Sequence, residues 1–305
     1  MRAHILLGLA LFPLAAMAEP PRIVTDMPVT ASLAAQVLGD LGSAEALLDA
    51  GSDPHDFQLR PSQARALQDA GLLIWMGPEM TVWLADAADL LGEDRQMQLL
   101  HQPGTHLREY AETGEAAAHD HGDGHDHDHD HGPLDPHAWL DPDNGALWMG
   151  LIAERLAGID PENAATYRAN AKAATEALAR DAALMTDELR PAQAHPFVSF
   201  HDAYGYFTEH FGLPEAVTVA IGDASAPSAA RLQQARARIE ASGARCYFAE
   251  AGHSPRMLDT ATEGLDLKQG ETISPTGVDL DAGPMLYSEI LKQLADRITG
   301  CMSGI

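Results

Sequence analysis

The chain of 305 residues is poor in basic side chains and has almost no cysteine. It carries 19 lysines and arginines against 45 aspartates and glutamates, which gives a formal net charge of −26 at pH 7. Nucleic acids and anionic lipids bind positively charged surfaces, so this balance argues against both as partners. The excess of carboxylates instead suits a protein that attracts cations.

Long apolar runs are also scarce. Beyond the N-terminus no stretch approaches the roughly 18 consecutive apolar residues of a membrane span, so we expect no membrane insertion. The N-terminus itself has Arg2, an apolar run and the small-residue pattern Ala16-Met17-Ala18, which is typical of a cleaved secretory signal peptide. We therefore expect export to the periplasm and a mature chain from about Glu19, with an uncleaved anchor as the alternative.

The two cysteines are Cys246 and Cys301. In an oxidising compartment an isolated pair predicts one disulfide. It would close a loop of about 55 residues and stabilise the fold by roughly 3–4 kcal/mol on the chain-entropy model. The alternative is a cysteine-ligated metal site, but cysteines so far apart without a CxxC pattern do not resemble a zinc knuckle.

One internal tract has an extreme composition. Residues 119–131 read HDHGDGHDHDHDH, with six histidines at His119, His121, His125, His127, His129 and His131. Such a tract offers no apolar surface to offset the entropy of ordering, so it does not build a packed core. Its imidazoles and carboxylates suit divalent first-row metals, zinc especially. We predict an auxiliary metal loop; an acidic linker is the alternative, and the internal position argues against an expression tag.

Two series of short apolar runs alternate with helical patterns, over residues 21–83 and 196–298. The run GLLIWMG at 71–77 is apolar throughout and bounded by glycines, which predicts a strand buried on both faces. Strands that alternate with helices indicate βαβ units and parallel sheets. We therefore predict an α/β fold.

Between the two series lies an alanine-rich stretch that begins with Asp160-Pro161 and ends before Pro191. An N-cap followed by proline is a helix start, and an uninterrupted helix here would be roughly 45 Å long. We predict that it links two lobes, with a kinked pair of helices as the alternative. The predicted divisions are a signal peptide at 1–18, an N-terminal lobe at 19–155 with a metal loop at about 101–132, the linking helix at 160–190 and a C-terminal lobe at 191–305.

Three histidines outside the tract share an unusual context. His55, His137 and His201 each lie at the carboxyl end of a predicted strand or in the loop beyond it. Ligands of open α/β sheets bind at this edge. A lone histidine of this kind is usually an ordinary surface or core residue, but three in equivalent contexts predict metal ligands. Each is followed within five residues by an aspartate that could orient it, namely Asp56, Asp141 and Asp202. No such context surrounds the other histidines outside the tract: His4, His101, His106, His195, His210 and His253.

The segments PHDFQLRPSQ, DPHAWLDP and SFHDAYGYFTEHFGL resemble the three ligand motifs of the ZnuA-type periplasmic zinc-binding proteins. These are the cluster A-I (cluster 9) substrate-binding proteins of metal ABC importers. The resemblance covers essentially the whole mature chain. It implies two similar α/β lobes with parallel sheets, joined by a long linking helix, and a metal in the interlobe cleft.

The same resemblance implies that His55, His137 and His201 are zinc ligands and that the C-terminal part holds a disulfide. In the manganese-binding members of the family that this chain resembles, the position of His201 looks like a glutamate, so the histidine favours zinc. The family often supplies a fourth ligand from a DPLG-like segment, where this chain has SPTG starting at Ser274, and serine is a poor zinc ligand. The fourth position then falls to water, which we favour, or to one of Asp279, Asp281 and Glu250.

The resemblance implies a protein that captures Zn²⁺ and delivers it to the membrane permease of a zinc ABC importer, and we expect a monomer. Alternatives are a periplasmic zinc buffer or chaperone, and a Mn²⁺- or Ni²⁺-binding member of the same family. A three-histidine site with an open position could also activate water for hydrolysis. Because the sequence has no HExxH motif and no nucleophile elbow, we do not expect an enzyme.

Overall fold

The computed structural model describes residues 20–49, 51–110, 134–220 and 227–303. The predicted signal peptide and the tract at 119–131 lie outside the described residues, so both predictions rest on the sequence. Within the described ranges, none of the helices combines the length and apolar character that crossing a bilayer requires.

Short strands and longer helices alternate along the described chain. The strands are β1 (Ile23–Thr25), β2 (Ala44–Ala46), β3 (Leu72–Trp75), β4 (Gln96–Gln98), β5 (Arg108–Glu109), β6 (Leu134–Asp135), β7 (Phe197–Ser199), β8 (Val217–Thr218), β9 (Cys246–Tyr247) and β10 (Lys268–Gln269). The α-helices are α1 (Pro28–Leu38), α2 (Pro61–Gln68), α3 (Ala85–Asp89), α4 (Pro142–Ile159), α5 (Ala164–Glu188), α6 (Gly205–His210), α7 (Ala229–Ser242), α8 (Arg256–Thr262) and α9 (Leu286–Met302). Short 3₁₀ turns lie at Gly39–Leu41, Val82–Leu84, Glu93–Arg95, Ala138–Leu140, Pro161–Asn163 and Arg190–Ala194.

The N-terminal lobe is built on a parallel sheet in the order β2-β1-β3-β4. All four residues of β3 are buried, as its continuous apolar run predicts. Leu72 and Ile74 belong to the cluster that includes α1, whereas Leu73 and Trp75 pack in the cluster that includes α2 and α3. Burial on both faces is the reason that this strand shows no polar alternation.

The C-terminal lobe repeats this arrangement. Its parallel sheet has the order β8-β7-β9-β10, so in each lobe the first strand lies between the second and the third. The inner strand β7 is again buried on both faces, with Phe197 in the main core and Val198 in the cluster of the C-terminal lobe. The predicted fold class, two similar α/β lobes with parallel sheets, is confirmed.

A long helix connects the lobes. Asp160 caps a 3₁₀ turn, where it accepts hydrogen bonds from the Asn163 amide and the Tyr167 hydroxyl at 2.8 Å each, and α5 continues to Glu188. Along its length α5 contacts α1 of the first lobe, α9 of the second and the preceding helix α4. It is therefore packed against both lobes, while the residue bounds assigned to the lobes stay a prediction.

The disulfide between Cys246 and Cys301 ties α9 to the inner strand β9 of the second sheet. The predicted disulfide is confirmed, and the alternative of a cysteine-ligated metal site is wrong because both sulfurs are in this bond. The antiparallel ribbon of β5 and β6 lies at the two ends of the segment that contains the tract.

Candidate metal centre

The three histidines with the shared sequence context meet in the cleft between the lobes. The ring centres of His55 and His137 are 5.4 Å apart, those of His137 and His201 are 5.3 Å apart, and those of His55 and His201 are 6.2 Å apart. One nitrogen from each ring lies within 4.8 Å of the other two. A tetrahedral zinc ion with bonds of about 2.0–2.1 Å holds its ligand atoms roughly 3.4 Å apart, so small side-chain rotations would close this site around an ion.

Each histidine reaches the cleft on a differently anchored segment. His55 lies in the loop after β2, where its N–H donates to Asp53 at 2.9 Å and the neighbouring Pro54 carbonyl accepts from the Trp83 indole at 2.8 Å. His137 follows the ribbon strand β6, and His201 follows β7. The cleft therefore receives ligand candidates from both sides, which makes the site depend on how the lobes pack.

Buried carboxylates orient two of the three rings. Asp135 lies 2.7 Å from His137 Nδ1 and accepts the backbone N–H of the same residue at 3.0 Å. Glu250 contacts His201 Nδ1 with one oxygen, and its other oxygen accepts the N–H groups of Phe200 at 3.0 Å and His201 at 3.1 Å. A proton held at Nδ1 leaves the Nε2 lone pair of each ring for a metal.

Those two Nε2 atoms are the most informative feature of the cleft. The Nε2 atoms of His137 and His201 are buried and have no hydrogen-bond partner among the residues that the structure describes. Buried polar atoms are nearly always paired, and two unsatisfied ring nitrogens in one cleft fit the lone pairs of metal ligands.

The carboxylates that orient these rings are not the aspartates noted downstream in the sequence. Asp141 contacts His106 and His210 instead of His137. The signals that could have found the true partners are local. Asp135 stands two residues before His137, and Glu250 ends the apolar segment of β9.

Burial and charge shift the protonation of the site. Burial lowers the pKa of His137 well below its usual value, so this ring is neutral at pH 7. Burial acts in the same direction on His201, but the Glu250 carboxylate outweighs it and raises the pKa of His201. Burial also raises the pKa of Asp135 to about 7. An entering cation therefore competes with the second proton of His201, the one that occupies Nε2 when the ring is charged.

Comparison with known proteins assigns the chain. Residues 23–301 match the family ZnuA, described as zinc-uptake complex component A, periplasmic. The chain belongs to the ZnuA family. It is 49% identical to the high-affinity zinc uptake system protein ZnuA of Paracoccus denitrificans, over 98% of this chain and 96% of that protein. It is 34% identical to the protein of the same name from Brucella suis, over 93% of this chain and 92% of that protein.

Solved structures agree on the fold. A crystal structure of ZnuA superposes with a TM-score of 0.74 at 21% identity and covers 92% of this chain and 98% of that one. The periplasmic zinc-binding protein TroA from Treponema pallidum superposes with a TM-score of 0.78 at 18% identity, over 93% of this chain and 99% of that one. The predicted membership of the ZnuA family is confirmed by the family match, and the two-lobe architecture by these superpositions.

In this ZnuA-family chain, three of the candidates for a fourth ligand, Glu250, Asp279 and Ser274, are engaged with other protein groups. Both oxygens of Glu250 are engaged with His201 and Phe200, as described above. Asp279 is 3.1 Å from Arg297 in an ion pair, and within the described ranges Asp281 joins no group of metal-ligating side chains. Ser274 accepts the N–H of Gly277 at 2.9 Å and closes a turn. Water stays our prediction for the fourth position.

His253, which the sequence did not single out, also lines the cleft of this ZnuA-family chain. The ring of His253 lies 5.6 Å from that of His201, and His253 forms a group of close ligand atoms with His201 and Glu250. It follows β9 at the same sheet edge as His201, which is the signal that could have found it. The chemistry of the cleft thus includes four imidazoles, of which three converge on one point.

Proposed function

We propose that this chain captures Zn²⁺ in the interlobe cleft and delivers it to the permease of a zinc ABC importer. The observation that carries this proposal is the pair of buried Nε2 atoms of His137 and His201, which have no hydrogen-bond partner within the described ranges. The rings of His55, His137 and His201 form one group whose ligand atoms lie within 4.8 Å of one another. The relatives support the metal and the process, since they are named high-affinity zinc uptake system proteins.

The size of the cleft favours an ion as cargo. The cavity lined by the three histidines has a volume of about 30 Å³. A cavity of this size holds only about one or two water molecules, which suits a metal ion as cargo. We therefore propose that zinc is the transported ion and not a catalytic cofactor. We infer no enzymatic activity and favour transport over zinc-activated hydrolysis.

The compartment and the partners belong to the same proposal. We infer a periplasmic mature protein that begins near Glu19, is a monomer, and presents both lobes to the permease. The family description names the periplasm, and the sequence supplies a signal-peptide pattern. A periplasmic zinc buffer or chaperone would bind the same ion but would not supply a transporter. Transport of zinc into vesicles that contain the cognate permease separates the two functions.

The tract at 119–131 receives an auxiliary part in the proposal. A tethered set of imidazoles and carboxylates raises the local concentration of bound metal near the cleft, because the second binding event becomes intramolecular. The tract contains no apolar residue that could bury an orienting partner, so we expect its sites to be weaker than the cleft. Deletion of the tract should lower the number of zinc ions bound and leave one tight site.

Metal titration of the tract-deleted protein tests the ligand assignment. Alanine at His55, His137 or His201 should weaken the tight zinc site by orders of magnitude, whereas His195→Ala should leave it unchanged. Competition with a chelating dye measures the affinity, and parallel titrations with Mn²⁺ and Ni²⁺ decide the metal preference. A triple alanine variant that still holds one zinc ion as tightly as the parent would show that the assignment is wrong.

A further inference from the structure

A second cluster of imidazoles and carboxylates lies outside the cleft, where α4 begins and α6 ends. Asp141 is the N-cap of α4, and its side chain is only 7% exposed. One of its oxygens is 2.9 Å from Nδ1 of His210, the last residue of α6, and the other is 3.0 Å from Nδ1 of His106. Two imidazoles from distant parts of the chain therefore converge on a single buried carboxylate.

More acidic groups surround the same point. Asp143 lies 3.7 Å from His210 Nδ1, and Glu209 lies 3.7 Å from His106 Nε2. Asp141, Asp143 and His210 offer ligand atoms that all lie within 4.8 Å of one another. Arg108 pairs with Glu209, so Asp141 and Asp143 are the carboxylates that face His210. One imidazole nitrogen and two carboxylate oxygens form a donor set that zinc and its first-row neighbours accept, with water in the open position.

The cluster also lies next to the ribbon that flanks the predicted metal-binding tract. His106 precedes β5, and Asp141 follows β6. These two strands pair as the ribbon from which the chain enters and leaves the His/Asp-rich tract, with Arg108 opposite Asp135. Asp135 in turn orients His137 in the cleft. The cluster thus stands next to the base of the tract and shares no ligand with the cleft.

We propose that Asp141, Asp143 and His210 form a second site for a divalent first-row cation, with Zn²⁺ as its ion, and that His106 positions Asp141 for it. The side chain of His210 is 19% exposed and that of Asp143 is 87% exposed, so the site opens to solvent on one side. It has a single direct imidazole ligand, and it binds more weakly than the three-histidine cleft. The competing explanation is a hydrogen-bonded cap that joins α6 to α4 without any metal.

A background that lacks the other metal sites isolates the cluster. In the otherwise full-length mature chain, residues 119–131 are deleted and His55, His137 and His201 are changed to alanine. Equilibrium dialysis against Zn²⁺ alone with metal analysis counts the ions, and Co²⁺ absorption reports the coordination geometry of the site. We expect one bound ion, with its affinity reduced at least tenfold by Asp143→Asn and by His210→Gln. The matched control is His101→Gln, since His101 contacts Glu79 at 2.8 Å in an isolated imidazole–carboxylate pair.

The outcomes separate this proposal from that of the cleft. A background protein that binds no ion, or whose ion is indifferent to both substitutions, would overturn the second site and leave the cleft untouched. If the binding that survives the cluster substitutions is as tight as that of the parent protein, it would also contradict the ligand assignment of the cleft. If the background fails to fold by circular dichroism, Asp143→Asn in the tract-deleted protein with an intact cleft replaces it. The affinity of the weaker of its two zinc sites should then fall at least tenfold, and an unchanged affinity would refute the proposal.

Discussion

Glu250 and His201 form a buried pair at the carboxyl ends of two adjacent parallel strands, β9 and β7. In a sheet of this order, chain connections diverge between these strands, and ligands bind at such a switch point. The first lobe has a carboxylate at the equivalent position, where Asp26 after β1 accepts the N–H of Met76 after β3 at 2.8 Å. Each lobe therefore has a buried carboxylate at its switch point, but only that of the second lobe orients a histidine.

Glu250→Gln should weaken zinc binding by about 10–100-fold, the usual effect of losing a partner that orients a metal ligand. A glutamine side chain is uncharged, so it holds the His201 ring less firmly and no longer raises the basicity of that ring. Competition titration of the tract-deleted protein measures the change. Glu240→Gln, which alters an exposed carboxylate on α7, is the control. Equal affinities in the two variants would show that Glu250 does not act on the metal ligand.

Replacing both cysteines by serine should lower the free energy of unfolding by about 4 kcal/mol, because the disulfide closes a loop of 55 residues. Cys246 lies at the start of β9, whereas Glu250 follows its carboxyl end, so the zinc affinity should stay the same. Urea denaturation in the presence of a chelator measures the stability. A large loss of zinc affinity in a variant that is still folded would contradict this separation.

Ionisation of Asp26 should lower the free energy of unfolding as the pH rises from about 4 to about 7. Burial raises the pKa of Asp26 from its ordinary 3.8 to about 6, against the opposing hydrogen bond from Met76. The folded state thus retains a proton that the unfolded chain has lost, and this contribution disappears above the folded pKa. The expected loss is about 3 kcal/mol.

Chelator-treated protein and its Asp26→Asn variant, unfolded in urea at several pH values, test this slope. An amide cannot ionise, so the variant should lack this part of the pH dependence whatever its absolute stability. Asp40→Asn, at an exposed position, should retain the wild-type slope. Parallel curves for wild type and Asp26→Asn would rule out the proposed titration.

Zinc loading should change the overall dimensions of the protein only slightly. The helix α5 packs against α1 in one lobe and α9 in the other, and bending a continuous helix breaks its backbone hydrogen bonds. We therefore expect small lobe rotations or loop movements. Small-angle scattering of apo and zinc-loaded protein measures the radius of gyration, with the tract deleted in both samples. A decrease of the size seen when wide-hinged binding proteins close would refute the rigid connection.

The sequence alone determined the features that depend on short-range order. The apolar run at Leu72–Trp75 predicted a doubly buried strand, and the alanine-rich stretch after Asp160 predicted the linking helix. The sequence did not predict α4. The DPHAWLDP motif was interpreted as a loop, so the start of the helix at Pro142 within it was missed. The 3₁₀ turn at Pro161–Asn163 also escaped, since its hydrogen bonds to Asp160 depend on side-chain placement.

Which side chains meet was decided by the tertiary structure. His55, His137 and His201 could be singled out by their contexts, yet their common centre exists only because two sheets and a ribbon bring three loops to one cleft. The roles of Glu250, His253 and the Asp141 cluster follow from strand order and helix packing, and partners such as His201 and Glu250 lie 49 residues apart in the chain. Local patterns record the conformational preferences of neighbouring residues, whereas contacts across such distances are set by the packing of whole elements.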